Sequence, residues 1–320
     1  MALQLEDYLT QIIATARLAP SVHNTQPWTV SAKDRYLTIT LDKDHALNQG
    51  DPTKRQTGIS LGIFTEAVIC AAAAIGLDLK IKQHTDETII LKAVQLTAPD
   101  QTTKKAAGLL SQRYTDRSIY APITITRRQL QTIQNVRHSP AVTIFAVTDK
   151  RLIDLVTDLT AKGIGLAMSS PDFRKELSQY LTLPWSRSKR GIAVTSLQIP
   201  WILAIAEPLF MRLGVGLPIE VRLERQRWQS ASGLVIITGK GDLNDYWFEA
   251  GRTYLRISLT IESLGLAQAT SAAIVEALDY HKDLETALGT SQRVLAIMRI
   301  GRGSSKKHFS PRLDTAQIIT

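Results

Sequence analysis

Ala19-Pro20-Ser21-Val22-His23-Asn24-Thr25-Gln26-Pro27-Trp28 is the stretch on which the reading of this chain turns. It follows an apolar, alanine-containing helical stretch from Leu5 to Leu18. Pro20 lacks the amide hydrogen that another helical turn would use, so the helix stops there and a polar run begins. Two readings of that run are open. One is a capped helix end with an ordinary loop. The other is a polar edge that clamps a heterocycle. Trp28 reads as core, because a tryptophan that opens a strand is usually buried, and Gln26 leans the same way.

The string resembles the APSxxNxQPW signature of the FMN-dependent nitroreductase superfamily, and its His-Asn form is similar to the Acg branch. The resemblance implies an α+β, nitroreductase-like fold in which Ser21 and Asn24 contact the flavin from one side. His23 then reads as a polar contact to cofactor or substrate, or as a plain loop residue.

Composition sets wider bounds. A chain of 320 residues suffices for one large domain or two modest ones. An apolar fraction of 44% supports a packed core. The single cysteine, Cys70, lies in the apolar run Ala67 to Ile75, which rules out an internal disulfide and reads as a buried, inert thiol. No basic segment followed by an apolar one opens the chain, so no signal peptide is expected and a cytoplasmic location fits. The stretch Ile199 to Leu217 is apolar but is interrupted by Glu207, Pro208 and Arg212. It falls short of the ~18 uncharged residues of a spanning helix. A mobile lid or partner surface is expected there, not stable membrane insertion.

The net charge of +9 allows nucleic acid, an anionic membrane surface or a phosphate-bearing ligand. Small basic clusters stand at Arg187 to Arg190, Arg222 to Arg227 and Arg302 to Lys307. No zinc finger, RNP-type aromatic sheet or basic zipper accompanies them, so they read as solvated surface and no nucleic-acid partner is expected.

The chain looks weakly duplicated. Arg55 to Gly62 opens a long apolar helical stretch that ends at Gly76-Leu77, and Ala250-Gly251-Arg252 opens a comparable one that ends at Gly265-Leu266. Helices apolar on most faces must be buried in protein, so a central pair is expected. Strand-like runs surround each: Tyr36 to Leu41, Leu77 to Lys82 and Thr88 to Leu96, then Ala141 to Val147, Gly233 to Thr238 and Val294 to Ile300. Helices are predicted over Lys104 to Gln112, Arg127 to Val136 and Arg151 to Met168, with a polar link at Pro99 to Thr103. Two tandem halves follow, residues 1–100 and 104–320. An insertion at about 170–229 has no counterpart in the first half and reads as a lid over a site.

A second motif is Arg113-Tyr114-Thr115-Asp116-Arg117. On an extended segment Arg113, Thr115 and Arg117 point to one side. Two guanidiniums and a hydroxyl there suit a phosphate, whereas a surface pair neutralised by Asp116 is the plainer alternative. The motif resembles the R-x-S-x-R/K-x-F element of nitroreductases. By that resemblance Arg113 and Thr115 hold the FMN phosphate, and Arg117 sits near the electron-rich edge of the ring. The late Arg312, in Ser310-Pro311-Arg312, resembles the arginine that returns to the phosphate; Arg302 and His308 are weaker candidates. Gln268, Thr270 and Ser271 fall where the family places groups near N5.

In ordinary nitroreductases the arginine element precedes the proline-tryptophan element within one half-size chain, and two subunits share each flavin. Here the order is reversed across the whole chain. The arrangement implies a monomer resembling a fused dimer, with one FMN site. The resemblance further implies NAD(P)H as electron donor and a nitroaromatic or quinone as acceptor, through N5 of the flavin, with no side-chain acid or base required. No strand–GxGxxG–helix element is present for a Rossmann cofactor domain. The alternative is a non-catalytic protein that sequesters or stores FMN beneath the lid.

Overall fold

The computed structural model describes residues 4–304 and 306–320. The first part of the chain forms α1 (Glu6–Ala16), β1 (Trp28–Lys33), β2 (Tyr36–Leu41), α2 (Arg55–Ala74), β3 (Leu77–His84) and β4 (Thr88–Leu96). It continues through α3 (Gln101–Leu110) and α4 (Arg127–Gln134) to β5 (Val142–Val147). Next come α5 (Lys150–Ser169), α6 (Pro171–Gln179), the two-residue strands β6 (Leu181–Thr182) and β7 (Ile192–Ala193), α7 (Trp201–Leu213) and α8 (Leu217–Gln229). The chain closes with β8 (Gly233–Gly239), α9 (Asn244–Ser263), β9 (Ala267–Thr270), α10 (Ala273–Glu276), α11 (Tyr280–Ala287), β10 (Arg293–Gly301) and α12 (Thr315–Ile318).

This is an α+β architecture with two four-stranded antiparallel sheets, ordered β1-β2-β4-β3 and β5-β8-β10-β9. Matching β1 to β5, β2 to β8, β3 to β9 and β4 to β10 makes the two orders identical. In the first sheet Asp34 and Arg35 alone join the leading pair of strands. In the second, the connection from β5 to β8 carries α5 to α8. That connection is longer than the insertion expected from the sequence, because α5 lies inside it too.

The two long helices α2 and α9 cross in the middle. A Cβ on Gly62 would stand 2.1 Å from the Phe248 carbonyl oxygen, and one on Gly251 would stand 2.0 Å from that of Ile59. Each glycine therefore lets the other helix's backbone approach where no side chain fits. Glu66 ties the pair further, bonding Arg252 at 3.1 Å and Arg256 at 2.6 Å. Trp28 is fully buried and stacks on Phe64 of α2 at 4.2 Å between ring centroids.

One apolar core runs through both sheets, with Val30, Ile39 and Leu91 on one side and Ile144, Val235 and Met298 on the other. A second core packs Val156, Trp228 and Leu284 on the far face of the second sheet. β8 is buried along its whole length, as its unbroken apolar run requires of a strand covered on both faces.

Two elements depart from expectation. Helix α3 begins inside the polar link at Gln101, because the Asp100 side chain accepts from the Thr103 amide at 2.7 Å and caps it. Helix α9 begins at Asn244, seven residues before Gly251, the glycine that marked it. Among the described residues one helix, Arg55–Ala74, is long and apolar enough to cross a membrane, and 78% of its apolar window is buried inside the protein.

Candidate functional site

A cavity of about 690 Å³ opens between the first sheet's helix α2 and the second half of the chain. That is the size range of small-molecule and cofactor pockets. Of the ten site residues expected from the sequence, Ser21, His23, Asn24, Arg113, Thr115, Arg117, Thr270, Ser271 and Arg312 line it. Gln268 is not among the lining residues. It is buried in β9, where its Nε2 donates to the Ser258 carbonyl at 2.8 Å and its own carbonyl accepts from the Asp116 amide. Gln268 and Thr270 share one face of the strand, so position along β9 makes the difference: Thr270, its last residue, lines the cavity and Gln268 does not.

The loop after α1 is held in an unusual conformation. His23, Asn24 and Gln26 have φ of 44°, 56° and 50°, a region that non-glycine residues enter at a cost. Its contacts explain how it persists. Ser21 Oγ accepts from the Gln26 amide at 2.9 Å. Gln26 donates to the Lys189 carbonyl at 2.7 Å and accepts from the Leu313 amide at 2.9 Å. Asn24 Nδ2 donates to the carbonyls of Gly191 and Pro311, each at 2.8 Å, and its Oδ1 accepts from Arg312 at 2.6 Å. The amide of Asn24 is thus spent on the protein, joining three distant segments at the cavity wall.

The cations behave differently. Arg113 is only 4% exposed, and its Nε and Nη1 have no hydrogen-bond partner among the described residues. Nε of Arg312 is likewise without one. Burial lowers the pKa of Arg312 to about 9, and the neighbouring charges of Arg113 and Arg17 push the same way. Burial lowers Arg113 as well. Arg117 is brought down to about 10 by burial, with Glu224 opposing and Arg227, Arg299 and Arg113 adding to the fall; its Nη1 donates to Ser196 Oγ at 3.2 Å.

Asp116 does not neutralise this cluster. Its carboxylate accepts from Tyr114, from the Ser118 and Ser304 amides and from Gln198. Buried guanidiniums with unpaired donors and like-charged neighbours make a site for an anion.

The remaining polar groups are mostly committed. Thr270 Oγ1 donates to the Ile297 carbonyl at 2.7 Å, and Ser271 Oγ accepts from the Ala273 amide at 3.2 Å. His23 Nδ1 is buried and unpartnered. Burial lowers its pKa to about 4, against a smaller rise from Glu176, so the imidazole is neutral at pH 7. Tail residues His308 and Ser310 line the cavity, whereas Arg302 is exposed and pairs through its backbone with Ala121.

The carboxylates of the site were hard to foresee. Glu207 and Glu220, on α7 and α8, line the cavity together with Glu224 and Arg227. Glu207 is 8% exposed, and burial together with Glu220 raises it to about 7, Arg227 opposing. A single acidic residue inside an apolar helical run was the available signal. Among the described residues no group of three His, Cys, Asp or Glu could hold a metal ion.

No protein-family model matches the chain. A Mycobacterium tuberculosis protein provisionally named NAD(P)H nitroreductase Rv3131 is 30% identical over 114 residues, which is 34% of this chain and 33% of that protein. The chain thus matches about a third of the length of that relative. A second M. tuberculosis protein, provisionally named NAD(P)H nitroreductase acg, is 24% identical over 311 residues, covering 92% of this chain and 89% of the relative. Over nearly its whole length the chain is thus similar to an Acg-type nitroreductase. Likenesses to solved structures are more distant. The FMN- and NADPH-dependent nitroreductase NfnB from Sphigopyxis sp. strain HMH is 16% identical with a TM-score of 0.44, over 67% of this chain and 97% of that one.

Proposed function

We propose that this Acg-like protein binds one FMN per chain and works as an NAD(P)H-dependent oxidoreductase, with a nitroaromatic or quinone-like acceptor. The observation that carries the reading is the buried Arg113 beside the half-buried Arg312, both with shielded, unpaired donors and both lining the cavity. A phosphate there would accept from both guanidiniums and offset their mutual repulsion. When bound, FMN supplies hydride chemistry at its ring, and the protein supplies binding, orientation and electrostatics. Thr115 adds a hydroxyl beside the arginines. Arg117 is carried over to the electron-rich edge of the ring, where a fixed cation favours the reduced form. The neutral His23 lends a polar contact without adding charge. Asn24 holds the loop in place at the cavity wall.

A second reading is flavin sequestration. It is favoured by the helices between β5 and β8, which wall the cavity through Met168, Phe173, Leu177 and Met211. Such a wall would keep a nicotinamide from the ring. The two readings part in one experiment. FMN-loaded protein is mixed anaerobically with NADPH, then NADH. Bleaching of the visible flavin band within seconds, with turnover when a nitroaromatic or quinone is added, supports the oxidoreductase. A band that both donors leave unchanged overturns it in favour of sequestration.

A further inference from the structure

Helix α7 has two unlike faces. Ala204, Glu207 and Met211, spaced for one side of a helix, are buried, and the last two line the cavity. Trp201, Ile202, Leu209 and Leu213 point outward and are 71%, 63%, 57% and 63% exposed. Val215 at the elbow and Ile219 at the start of α8 extend the apolar surface, at 52% and 64%. Large side chains clustered on one exposed helix mark an interaction surface, whereas singly scattered ones would not.

Along this segment itself the exposed charges have one sign, while exposed acids stand on the neighbouring helices at Asp172 of α6 and at Asp154 and Asp158 of α5. From Leu181 to Leu223 the exposed charged residues are Arg187, Lys189, Arg212 and Arg222, all cations; Glu207 is buried and Glu220 half-buried. An apolar helix face with tryptophan and flanking arginines is the composition of a helix that lies in the plane of an anionic bilayer surface. Tryptophan suits the headgroup level, and arginine stems can cover apolar surface while their heads reach lipid phosphates. Helices α7 and α8 meet at 118°, so the segment cannot cross as one rod. A second copy of the chain fits less well. In a two-fold contact the same patch meets itself, which would set Arg212 and Arg222 against their own kind.

We infer that the outer face of α7 and the elbow to α8 form a peripheral docking surface for anionic membranes. The inference concerns the outside of the cavity wall and stands apart from the reading of the cavity itself.

The test is co-sedimentation of the full chain with vesicles of phosphatidylglycerol and phosphatidylcholine, and with phosphatidylcholine alone. Expected is binding to the anionic vesicles that weakens as salt rises. Trp201→Ser with Ile202→Ser and Leu209→Ser should lose at least tenfold in partitioning, and Arg212→Glu with Arg222→Glu a similar factor on anionic vesicles. These residues lie outside the cavity, so unchanged thermal unfolding serves as the folding control. No partitioning of the wild-type chain onto anionic vesicles overturns the inference. So does a dimer in sedimentation equilibrium that the apolar triple variant dissolves, which would assign the face to a second copy.

Discussion

Arg312 donates from Nη1 to Oδ1 of Asn24 at 2.6 Å, although 288 positions separate the two residues. Asn24 in turn donates to Gly191 and Pro311, so the loop after α1 is clasped between the β5–β8 connection and the C-terminal tail. Removing the amide strips three hydrogen bonds at once, one buried and two partly buried. Asn24→Ala should destabilise the protein by about 2–4 kcal/mol, at roughly 1 kcal/mol per bond plus the cost of stranded carbonyls. Asn24→Asp keeps an acceptor for Arg312 but cannot donate to either carbonyl, and should fall between the two. Urea unfolding of the three proteins checks the order.

Two glycine substitutions should have opposite signs. Gly62→Ala places a methyl 2.1 Å from the Phe248 carbonyl oxygen and forces α2 from α9. We expect a loss of about 3 kcal/mol or more, or failure to fold. Gly108, in α3, has nothing within 4 Å of the added carbon. Gly108→Ala should stabilise by about 0.5–1 kcal/mol through helix propensity. Thermal unfolding midpoints decide both.

His23 carries a pH dependence. Its folded pKa is lowered to about 4 from 6.5, chiefly by burial, with Arg117 assisting and Glu176 opposing. The unfolded chain therefore takes up this proton first, and stability falls as pH drops from about 6.5 towards 4. His23→Asn retains a residue that tolerates φ of 44° and removes the titration. The difference in stability between wild type and variant should shift in the variant's favour from pH 7 to pH 5.

Glu207 works in the opposite direction. Burial and the Glu220 charge raise it to about 7 from 4.5. Between those values the folded protein holds a proton that the unfolded chain has lost, so stability falls as pH rises through that window. Glu207→Gln removes the loss. Relative to wild type it should gain more at pH 8 than at pH 5, measured by unfolding midpoints.

Much of the fold could be read from the chain because its period signals were clear. The runs Tyr36 to Leu41 and Thr88 to Leu96 form strands with those limits, and the glycine spacing marked α2 and α9 as a pair. The start of α3 was obscured because a capping aspartate looks like a loop residue until its hydrogen bond is seen. In the site, the arginines stood out by type and spacing. The role of Asn24 did not, since its partners Gly191 and Pro311 are backbone carbonyls brought in by tertiary folding. Nor did the inward turn of Glu207, which depends on which face of α7 meets the cavity.

The direct test of an FMN site built on Arg113 and Arg312 is equilibrium binding of FMN and of riboflavin, which lacks the phosphate, followed by flavin fluorescence. Charge-assisted bonds are worth about 1.5–3 kcal/mol. Arg113→Ala and Arg312→Ala should therefore each weaken FMN binding by about 10- to 100-fold and leave riboflavin binding within a few-fold of wild type. FMN affinity unchanged in both variants, or no flavin binding by the wild-type chain, would contradict the assignment.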